Sequence, residues 1–231
     1  MFKQSDMSVA YVDHMGTDLD VANAARVSFH KESDWSFVPS GVPNSLQKYL
    51  SVQDTKLIKY LSEHNHWSPF SHCSVKFRVK APIFVARQLM KHTVGFSWNE
   101  VSRRYVDSDP EFYMPTEWRA RDKNLKQGSK DEVIKGNDCY RDAAKRYVSH
   151  LDQLYKGMVL GGVCPEQARM LLPQNMMTEW IWTGTLYAWA RMCQLRLDSH
   201  TQRETQEIAK SVNNYMSNLF PVSWEALMKK E

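Results

Sequence analysis

Residues 75–85, VKFRVKAPIFV, lead into residues 87–105, RQLMKHTVGFSWNEVSRRY, and this stretch decides the fold. Apolar and polar residues alternate at its start, which predicts a strand over residues 72–85 that enters a Pro-started element. The apolar side of this strand consists of Val75, Phe77 and Val79. Residues 87–105 combine cations with hydroxyls, an amide and a carboxylate, a composition that is poor for a core helix. The pattern predicts a polar loop mounted on a rigid apolar strand, where binding sites tend to be built.

The polar segment 87–105 has the chemistry of a pocket for phosphates and a polar heterocycle. Its cations and its hydroxyl, amide and carboxylate groups are Arg87, Lys91, His92, Arg103, Arg104, Ser97, Asn99, Glu100 and Ser102. The alternative is a solvated charged helix and loop, which is the weaker interpretation because the cations do not form Lys–Glu pairs. Since the sequence has no Walker loop and no GxGxxG, side chains and helix ends would have to hold the phosphates.

The composition indicates a folded domain with its own core. The chain has 231 residues, 42% of them hydrophobic, and a formal net charge of +4. These values argue against disorder and fit a single domain over residues 1–231, while the charge suits either anionic small ligands or nucleic acid. We expect no membrane span and no secretion, because no long apolar run or signal-peptide pattern is present. Four cysteines without a CxxC predict reduced thiols in the cytoplasm and no structural zinc.

The periodicities along the chain predict an α+β fold, in which a small mixed or antiparallel sheet packs with several helices. We expect strands at residues 8–12, 72–85 and 178–183. We expect helices at residues 18–29, 45–64, 130–158, 165–172, 186–197 and 201–219, and a tail helix after Pro221. We expect loops at residues 30–44, 64–72 and 107–129. The expected buried face of the 130–158 helix consists of Ala143, Ala144, Tyr147, Leu151, Leu154 and Met158.

Two further polar clusters lie downstream. In GVCPEQARMLLPQN, residues 162–175, Arg169 is either a surface residue in an apolar helix or an anchor for phosphate or a pyrimidine edge. In QLRLDSHTQRE, residues 194–204, the polar residues form either a helix cap with a salt bridge or a binding cluster. These residues are Arg196, Asp198, His200 and Arg203. Cys164 and Cys193 have no histidine nearby in the sequence, and we interpret both as packing residues.

The three clusters, in this order, resemble the flavin-dependent thymidylate synthases. That family's signature is Arg-His-Arg, seven intervening residues and Ser, within a string that ends Asn-Glu-x-Ser-x-Arg-Tyr, and residues 99–105 match this ending. Other matching segments are AARVSF at 24–29, the histidine turn at 64–72, APIFVARQ at 81–88, and the surroundings of Arg169 and Arg196. The resemblance covers roughly residues 8–228 and rests on several separated motifs in a fixed order.

The chain departs from the family signature in its first triplet. Lys91-His92-Thr93 stands in place of Arg-His-Arg, and eight residues, 94–101, separate it from Ser102. Lys91 keeps a positive charge but lacks the planar fork of arginine, and Thr93 has no charge. Arg191 stands where other members carry a smaller polar residue near the flavin.

The resemblance implies an α+β enzyme that forms a homotetramer with active sites between subunits, and no membrane or nucleic-acid partner. Its substrate would be dUMP, its cofactor FAD, and its co-substrates 5,10-methylenetetrahydrofolate and NADPH. The enzyme would transfer a one-carbon unit to C5 of the pyrimidine and reduce it with a flavin hydride, without an attacking thiol. This agrees with the absence of a Pro-Cys-His sequence, since the base would be activated through its carbonyl groups.

The resemblance also implies roles for individual residues. The catalytic residues would be Arg196, at the pyrimidine edge, and Ser102, which has no adjacent base and would bind rather than attack. The expected dUMP-binding residues are Arg87, Gln88, Lys91, Glu100, Ser102, Arg104, Arg169 and Arg196. The expected FAD-binding residues are Ser28, His66, Ser68, Lys91, His92, Thr93, Glu100, Arg191, Leu195 and His200. No metal ligand is expected.

Two alternative functions stay open. The first is a flavin-dependent pyrimidine nucleotide hydroxymethylase of the same fold, in which water rather than hydride quenches the methylene intermediate; the altered triplet motivates it. The second is a basic RNA-binding module that uses the abundant aromatic residues to stack bases. It predicts oligonucleotide binding with a steep salt dependence and no bound flavin, and we favour it least because the aromatic clusters suit a core or a subunit interface.

Overall fold

Four antiparallel strands form the main sheet. The computed structural model describes residues 2–39, 46–106, 108–123 and 128–229. The strands in this part of the chain are β1 (Lys3–Gln4), β2 (Ser8–Met15), β3 (Ser36–Pro39), β4 (Leu46–Tyr49), β5 (Ser74–Pro82), β6 (Phe96–Glu100), β7 (Glu111–Phe112) and β8 (Met177–Thr185). The main sheet has the order β2-β5-β8-β6, while β1 pairs with β7 and β3 pairs with β4.

Helices cover one face of this sheet and extend beyond it. They are α1 (Asp18–Arg26), α2 (Val52–Glu63), α3 (Ile83–Leu89), α4 (Asn137–Leu160), α5 (Pro165–Ala168), α6 (Leu186–Arg196), α7 (Arg203–Leu219) and α8 (Pro221–Met228). Short 3₁₀ turns lie at Val27–Phe29, Pro69–Ser71 and Arg169–Leu171. The α+β class predicted from the sequence is confirmed.

The alternation in β5 and β8 makes one face of the sheet apolar. Val75, Phe77 and Val79 are buried, as predicted, and Phe77 lies opposite Trp182 of β8. Trp189 of α6 packs on this pair, with ring centroids 5.1 Å from Phe77 and 4.7 Å from Trp182. Edge-to-face contacts of this kind add to the free energy gained by burying the rings. The aromatic pairing thus fixes α6 against the sheet.

Asp18 connects two helices that are far apart in the sequence. It is buried at the start of α1, and its carboxylate accepts hydrogen bonds from the backbone N–H groups of Val222 at 3.0 Å and Ser223 at 2.8 Å. These N–H groups belong to the first turn of α8, where a helix leaves its donors without internal partners. The carboxylate therefore caps α8 and holds it beside α1.

A smaller core forms between α4 and the segment around β7. The buried residues of α4 are Val148, Asp152 and Tyr155. The apolar cluster at this place contains Phe112, Met114, Val148 and Met176. α5 and the 3₁₀ turn after it pack against α4. No helix in the described ranges is long and apolar enough to cross a membrane.

The prediction of a loop at residues 30–44 and a helix over 45–64 is wrong in part. β3 and β4 pair in these segments, and α2 begins only after Ser51, whose hydroxyl accepts a hydrogen bond from the N–H three residues further on. Leu46 has the spacing of a helical stripe but is exposed on β4, so its apolar character does not indicate a helix. The remainder of the predicted loop, residues 40–44, and the first residue of the predicted helix, residue 45, lie outside the described residues.

The boundaries around the polar segment also differ from the prediction. The strand predicted over 72–85 ends at Pro82, which precedes the first residue of α3, so the start of the predicted loop is helical. A second part of that loop forms β6, which pairs antiparallel with β8. The turn between α3 and β6 contains Gly95 at a φ of 78°, a conformation that favours glycine. Pairing with a distant strand, rather than local pattern, makes β6 a strand.

The helix predicted over residues 130–158 starts later and faces another way. α4 begins after Gly136, and β7 and a bridge between Arg119 and Val133 lie in the segment before it. Tyr147 and Leu154, predicted to be buried, are 74% and 47% exposed. Apolar residues cover both a core-facing and an outward side of this helix, so periodicity alone selects the wrong side.

We expect Gly184→Ala to lower the free energy of unfolding by about 1–3 kcal/mol, because overpacking displaces neighbouring groups. A Cβ atom at this position in β8 would lie 2.3 Å from Cε1 of Phe96 and 3.0 Å from Nε1 of Trp189. Gly157→Ala in α4 is the control: nothing lies within 4 Å of its added Cβ. Alanine favours the helix more than glycine does, so this change should raise the free energy of unfolding by up to about 1 kcal/mol. Urea denaturation measures both, and an unchanged midpoint for Gly184→Ala would contradict the packing.

Candidate active site

Arg196 is the best-positioned cation of the candidate site. It ends α6, where its Nε donates a hydrogen bond to Nε2 of His92 at 2.9 Å and its Nη2 donates one to the carbonyl oxygen of Gln88 at 3.1 Å. Arginine has five N–H donors, so three have no partner among the described residues and are left for a ligand. Burial lowers the pKa of Arg196, but an arginine stays charged at neutral pH. The site therefore contains a permanent cation with a fixed orientation and a free donor edge.

Gln88 connects Arg196 to α7. Its Nε2 donates a hydrogen bond to Oε1 of Gln202 at 2.6 Å, and its Oε1 accepts one from the hydroxyl of the buried Thr205 at 3.1 Å. The backbone carbonyl of the same residue holds Arg196. The position of the Arg196 guanidinium therefore depends on α7 as well as on α3 and α6.

His92 is a neutral imidazole whose proton can be placed. Burial, and then the nearby positive charges of Arg196 and Arg191, lower its pKa to about 4. A guanidinium can only donate, so Nε2 of His92 is the acceptor and the ring proton lies on Nδ1. Among the described residues no group accepts a hydrogen bond from Nδ1, which leaves this donor for a ligand.

Glu100 and Ser102 lie at the end of β6. Oε1 of Glu100 accepts a hydrogen bond from the hydroxyl of Thr178 at 2.6 Å, and Oε2 accepts one from Nε1 of Trp98 at 3.2 Å. The hydroxyl of Ser102 accepts one from Nε of Arg104 at 3.3 Å. The partner of Ser102 is thus a cation that cannot remove its proton, which supports binding rather than nucleophilic attack.

The histidine turn and α6 border an open cleft. His66 and Ser68 are exposed in the turn between α2 and β5, and Trp67 between them contacts Tyr187 of α6, with ring centroids 6.3 Å apart. Arg191, one turn further along α6, lines with Tyr187 a cleft of about 630 Å³. The structure therefore brings the histidine turn close to the helix that carries Arg191 and Arg196.

Three cations of the candidate site, Arg87, Lys91 and Arg191, have no carboxylate partner among the described residues. All three are exposed. A surface with several unpaired positive charges attracts anions and raises their local concentration. This group of cations is therefore suited to phosphates.

Among the described residues, Arg169 takes no part in the hydrogen-bond network of Arg196, His92 and Gln88. Its Nε contacts the carbonyl oxygen of Glu166 at 3.3 Å, and it lies in the 3₁₀ turn that packs against α4.

The remaining predicted site residues are exposed on separate segments. Ser28 lies in the 3₁₀ turn after α1, Thr93 in the turn after α3, and Leu195 on the last turn of α6. His200 lies beyond α6, and its Nδ1 is 2.9 Å from Oδ1 of Asp198. Exposure leaves these side chains accessible to a large ligand.

Four residues of this network were not predicted from the sequence: Trp98, Thr178, Gln202 and Thr205. Trp98 could have been found, because it lies two residues before Glu100 and so points to the same side of a strand. Gln202 and Thr205 are 114 and 117 residues from Gln88, and no local pattern connects positions so far apart.

The donors of the site fit a flavin dinucleotide. FAD has an anionic pyrophosphate and a ring with several acceptor atoms. Lys91 and Arg191 are unpaired cations for the former, and the Nδ1–H of His92 is a donor for the latter. The described residues contain no group of three or more His, Cys, Asp or Glu side chains that could hold a metal ion.

Comparison with known proteins identifies relatives over nearly the whole chain. The family profile described as Thymidylate synthase complementing protein (Thy1) matches residues 10–222. A flavin-dependent thymidylate synthase from Kosmotoga olearia is 36% identical over 223 residues, which cover 95% of this chain and 89% of that protein. A flavin-dependent thymidylate synthase from Thermus thermophilus is 33% identical over 218 residues, which cover 94% of this chain and 74% of that protein.

Solved structures agree with these relatives. The crystal structure of a UMP/dUMP methylase, PolB, from Streptomyces cacaoi bound with 5-Br dUMP matches with a TM-score of 0.79 and 31% identity, covering 98% of this chain and 96% of that chain. The structure of PolB with 5-Br UMP matches with a TM-score of 0.79 and 30% identity. The resemblance derived from the motifs is thereby confirmed. This chain belongs to the Thy1 family, the flavin-dependent thymidylate synthases.

Proposed function

We propose that this protein is a flavin-dependent thymidylate synthase. It transfers the methylene group of 5,10-methylenetetrahydrofolate to C5 of dUMP and reduces it to a methyl group, which gives dTMP. The observation that carries this proposal is the Arg196 guanidinium, held by His92 and Gln88 with three free donors, in a chain of this family.

Arg196 binds the carbonyl edge of the uracil ring. As C5 acts as a nucleophile, negative charge develops on the ring oxygens, and the free N–H groups of Arg196 stabilise it. Because His92 and Gln88 hold the guanidinium before the substrate arrives, little reorganisation is needed during the reaction. Ser102 binds the nucleotide beside this edge.

Cations and hydrogen-bonding groups around Arg196 hold the rest of dUMP. Arginine and lysine side chains of the site bind the phosphate. They have few or no carboxylate partners in the described part of the chain, so their positive charge is available to the ligand. The residues proposed for dUMP are Arg87, Gln88, Lys91, Glu100, Ser102, Arg104, Arg169 and Arg196.

FAD, when bound, supplies the hydride that completes the methyl group, and NADPH restores its reduced form. His92 donates its Nδ1–H to an acceptor of the flavin, while Lys91 and Arg191 neutralise its phosphates. The residues proposed to hold FAD are Ser28, His66, Ser68, Lys91, His92, Thr93, Glu100, Arg191, Leu195 and His200.

The functional assembly is a homotetramer with active sites between subunits. This proposal is supported by an outward apolar side of α4, where Tyr140, Tyr147 and Leu154 recur every seven residues. Their exposed fractions are 59%, 74% and 47%. We call this exposed apolar stripe the outward seam of α4, and its seven-residue spacing suits the packing of a second helix. Arg169, which takes no part in the hydrogen-bond network of Arg196 among the described residues, reaches the nucleotide from a partner subunit in this assembly.

We propose that the enzyme is a single domain that works in the cytoplasm. All four cysteines are free thiols, and Cys139 and Cys164 are exposed, so the interpretation of Cys164 as a packing residue is wrong. Exposed thiols persist in reducing compartments.

UMP is a second candidate substrate. PolB is described as a UMP/dUMP methylase and matches this chain equally well in its complexes with 5-Br UMP and 5-Br dUMP. The same transfer to C5 would then give a methylated ribonucleotide.

A product assay tests the proposed reaction. The protein is incubated with FAD, NADPH, 5,10-methylenetetrahydrofolate and either dUMP or UMP. The mass of the nucleotide product is then determined by mass spectrometry. We expect dTMP from dUMP. A product heavier by one oxygen atom would instead identify the hydroxymethylase, and oligonucleotide binding by a flavin-free protein would support the RNA-binding module.

In the same assay, Arg196→Ala should lower kcat/KM for dUMP by at least about tenfold, because each charge-assisted hydrogen bond contributes about 1.5–3 kcal/mol. Stoichiometric FAD absorbance should be retained. Arg146→Ala, at an exposed arginine of α4, is the control and should leave kcat/KM unchanged. Normal turnover by Arg196→Ala would remove this residue from the mechanism.

The state of His92 gives a second prediction. Arg191→Gln should raise the pKa of His92 from about 4 towards its ordinary value of 6.5, because one of two nearby cations is removed. Arg169→Gln, which does not contact His92, should leave this pKa unchanged. NMR titration of the His92 ring measures both, and a pKa near 6.5 in the parent protein would contradict the described environment.

The pKa of His92 also makes stability depend on pH. The unfolded chain binds a proton near pH 6.5, whereas folded His92 binds it only near pH 4. The stability associated with neutral His92 is therefore complete above pH 6.5 and falls as the pH drops towards 4, by at most about 1.4 kcal/mol per pH unit. Replacing His92 by Gln should flatten this part of the stability profile.

Leu154→Glu tests the assembly. A carboxylate on the outward seam of α4 should lower the molecular mass in solution from that of a tetramer, because a buried unpaired charge is costly. Gln153→Glu, at the neighbouring exposed position outside the seam, should keep the tetramer. Sedimentation velocity measures both, and a tetramer of Leu154→Glu would exclude this seam as an interface.

A further inference from the structure

A cavity of about 590 Å³ lies between α4, the segment after β7 and the start of α7. We call it the α4 cavity. It falls within the size range of small-molecule sites, about 300–1,000 Å³. It is separate from the cleft along Arg191, and none of the cations proposed for dUMP or FAD lines it.

Aromatic and aliphatic side chains form most of the walls. Phe84 and Tyr113 meet edge to face with ring centroids 6.2 Å apart, and Trp118 lies on the same segment as Tyr113. On the opposite side, α4 contributes Val148 and Leu151. Walls of this kind favour a flat, aromatic ligand that can stack or pack between rings.

None of the described residues that line the cavity carries a free positive charge. Arg119 is paired with Glu204 at 2.9 Å, and their side chains are only 15% and 6% exposed. Burial, and then the charges of Glu204 and Glu207, raise the pKa of Tyr113 to about 12, so its hydroxyl is neutral. Glu117 adds an acidic group to the lining. An uncharged ligand is therefore favoured over a phosphorylated one.

Three carboxamides complete the lining. Asn175 uses one N–H for the carbonyl oxygen of Tyr113 at 2.8 Å, and Gln202 uses its oxygen for Gln88, so each keeps free hydrogen-bonding groups. The amide of Gln174 has no partner among the described residues. A carboxamide pairs well with the adjacent donor and acceptor on the edge of adenine.

We propose that the α4 cavity binds an uncharged purine nucleoside, and that its occupancy is coupled to dUMP binding through Gln202 and Gln88. Gln202 lines the cavity and accepts a hydrogen bond from Gln88. The backbone carbonyl of Gln88 in turn accepts a hydrogen bond from Arg196. A ligand that engages the Gln202 amide alters the support of Arg196 through two hydrogen bonds. Such coupling is reciprocal, so dUMP must change nucleoside affinity by the same factor.

Isothermal titration of the full-length protein with adenosine tests the site without turnover, so failure of the proposed reaction would not affect the result. We expect saturable binding of adenosine and binding of AMP weaker by about tenfold or more, since the phosphate meets no free cation. Absence of adenosine binding, or tighter binding of AMP, would overturn the proposal.

Cavity variants locate the binding. Leu151→Trp should fill the cavity and weaken adenosine binding by at least about tenfold, while Gln153→Trp on another side of α4 should leave it unchanged. Gln174→Leu removes one carboxamide at an exposed position whose side chain has no hydrogen-bond partner among the described residues, and it should also weaken adenosine binding. This second variant keeps the test valid if Leu151→Trp does not fold. Binding that survives both Leu151→Trp and Gln174→Leu would place the nucleoside elsewhere.

The coupling is measured by titrating dUMP with and without saturating adenosine. We expect the Kd for dUMP to change by about fivefold or more, which is the lower range of allosteric coupling. Gln202→Leu should abolish this change, because the link to Gln88 is removed. If adenosine binds but the Kd for dUMP does not change, the proposed nucleoside site stands and the proposed coupling is wrong.

Discussion

The antiparallel pairing of β5 with β8 is the constraint on which the rest of the structure depends. Each strand is nine residues long, and every residue of one is paired with a residue of the other, from Ser74 with Thr185 to Pro82 with Met177. Each strand runs directly into a helix that carries site residues, β5 into α3 and β8 into α6. Because the strands are antiparallel, these helices start at opposite ends of the sheet. α6 must return along the sheet before Arg196 can meet Gln88.

That arrangement explains how several positively charged side chains can lie in one site. The sheet and the aromatic residues beneath it supply the rigid apolar base, and the cations are placed at helix ends and turns, where water reaches them. Arg196 is the exception, since it is half-buried, and its neighbours are a neutral histidine and a carbonyl oxygen rather than a carboxylate. A carboxylate partner would neutralise the charge that a nucleotide must meet. The network fixes the position of the guanidinium without neutralising its charge.

The sequence is sufficient to predict the elements whose burial follows a single period. Burial alternates along most of β5 and β8, and α7 has a clear apolar stripe, so the existence of these elements is readable from the residues alone. The motifs around Asn99 and Arg196 were sufficient for the family. The β3–β4 pair, β6 and the orientation of α4 were not predictable, because each depends on a partner that is distant in the sequence or on an outward apolar side. The same holds for Gln202, whose role follows only from its contact with Gln88.

The hydrogen bonds of Asp18 to the start of α8 have a consequence for the order in which the fold is completed. The two ends of this contact are 205 residues apart, and Phe220, Trp224 and Leu227 fill the same core as Val21 and Phe77. During synthesis, α1 and the first strands leave the ribosome long before the residues that cap and cover them. Folding must therefore wait for its last helices, and contacts of such separation slow the final step. Until then the nascent core keeps an open apolar face, the surface that a chaperone would recognise.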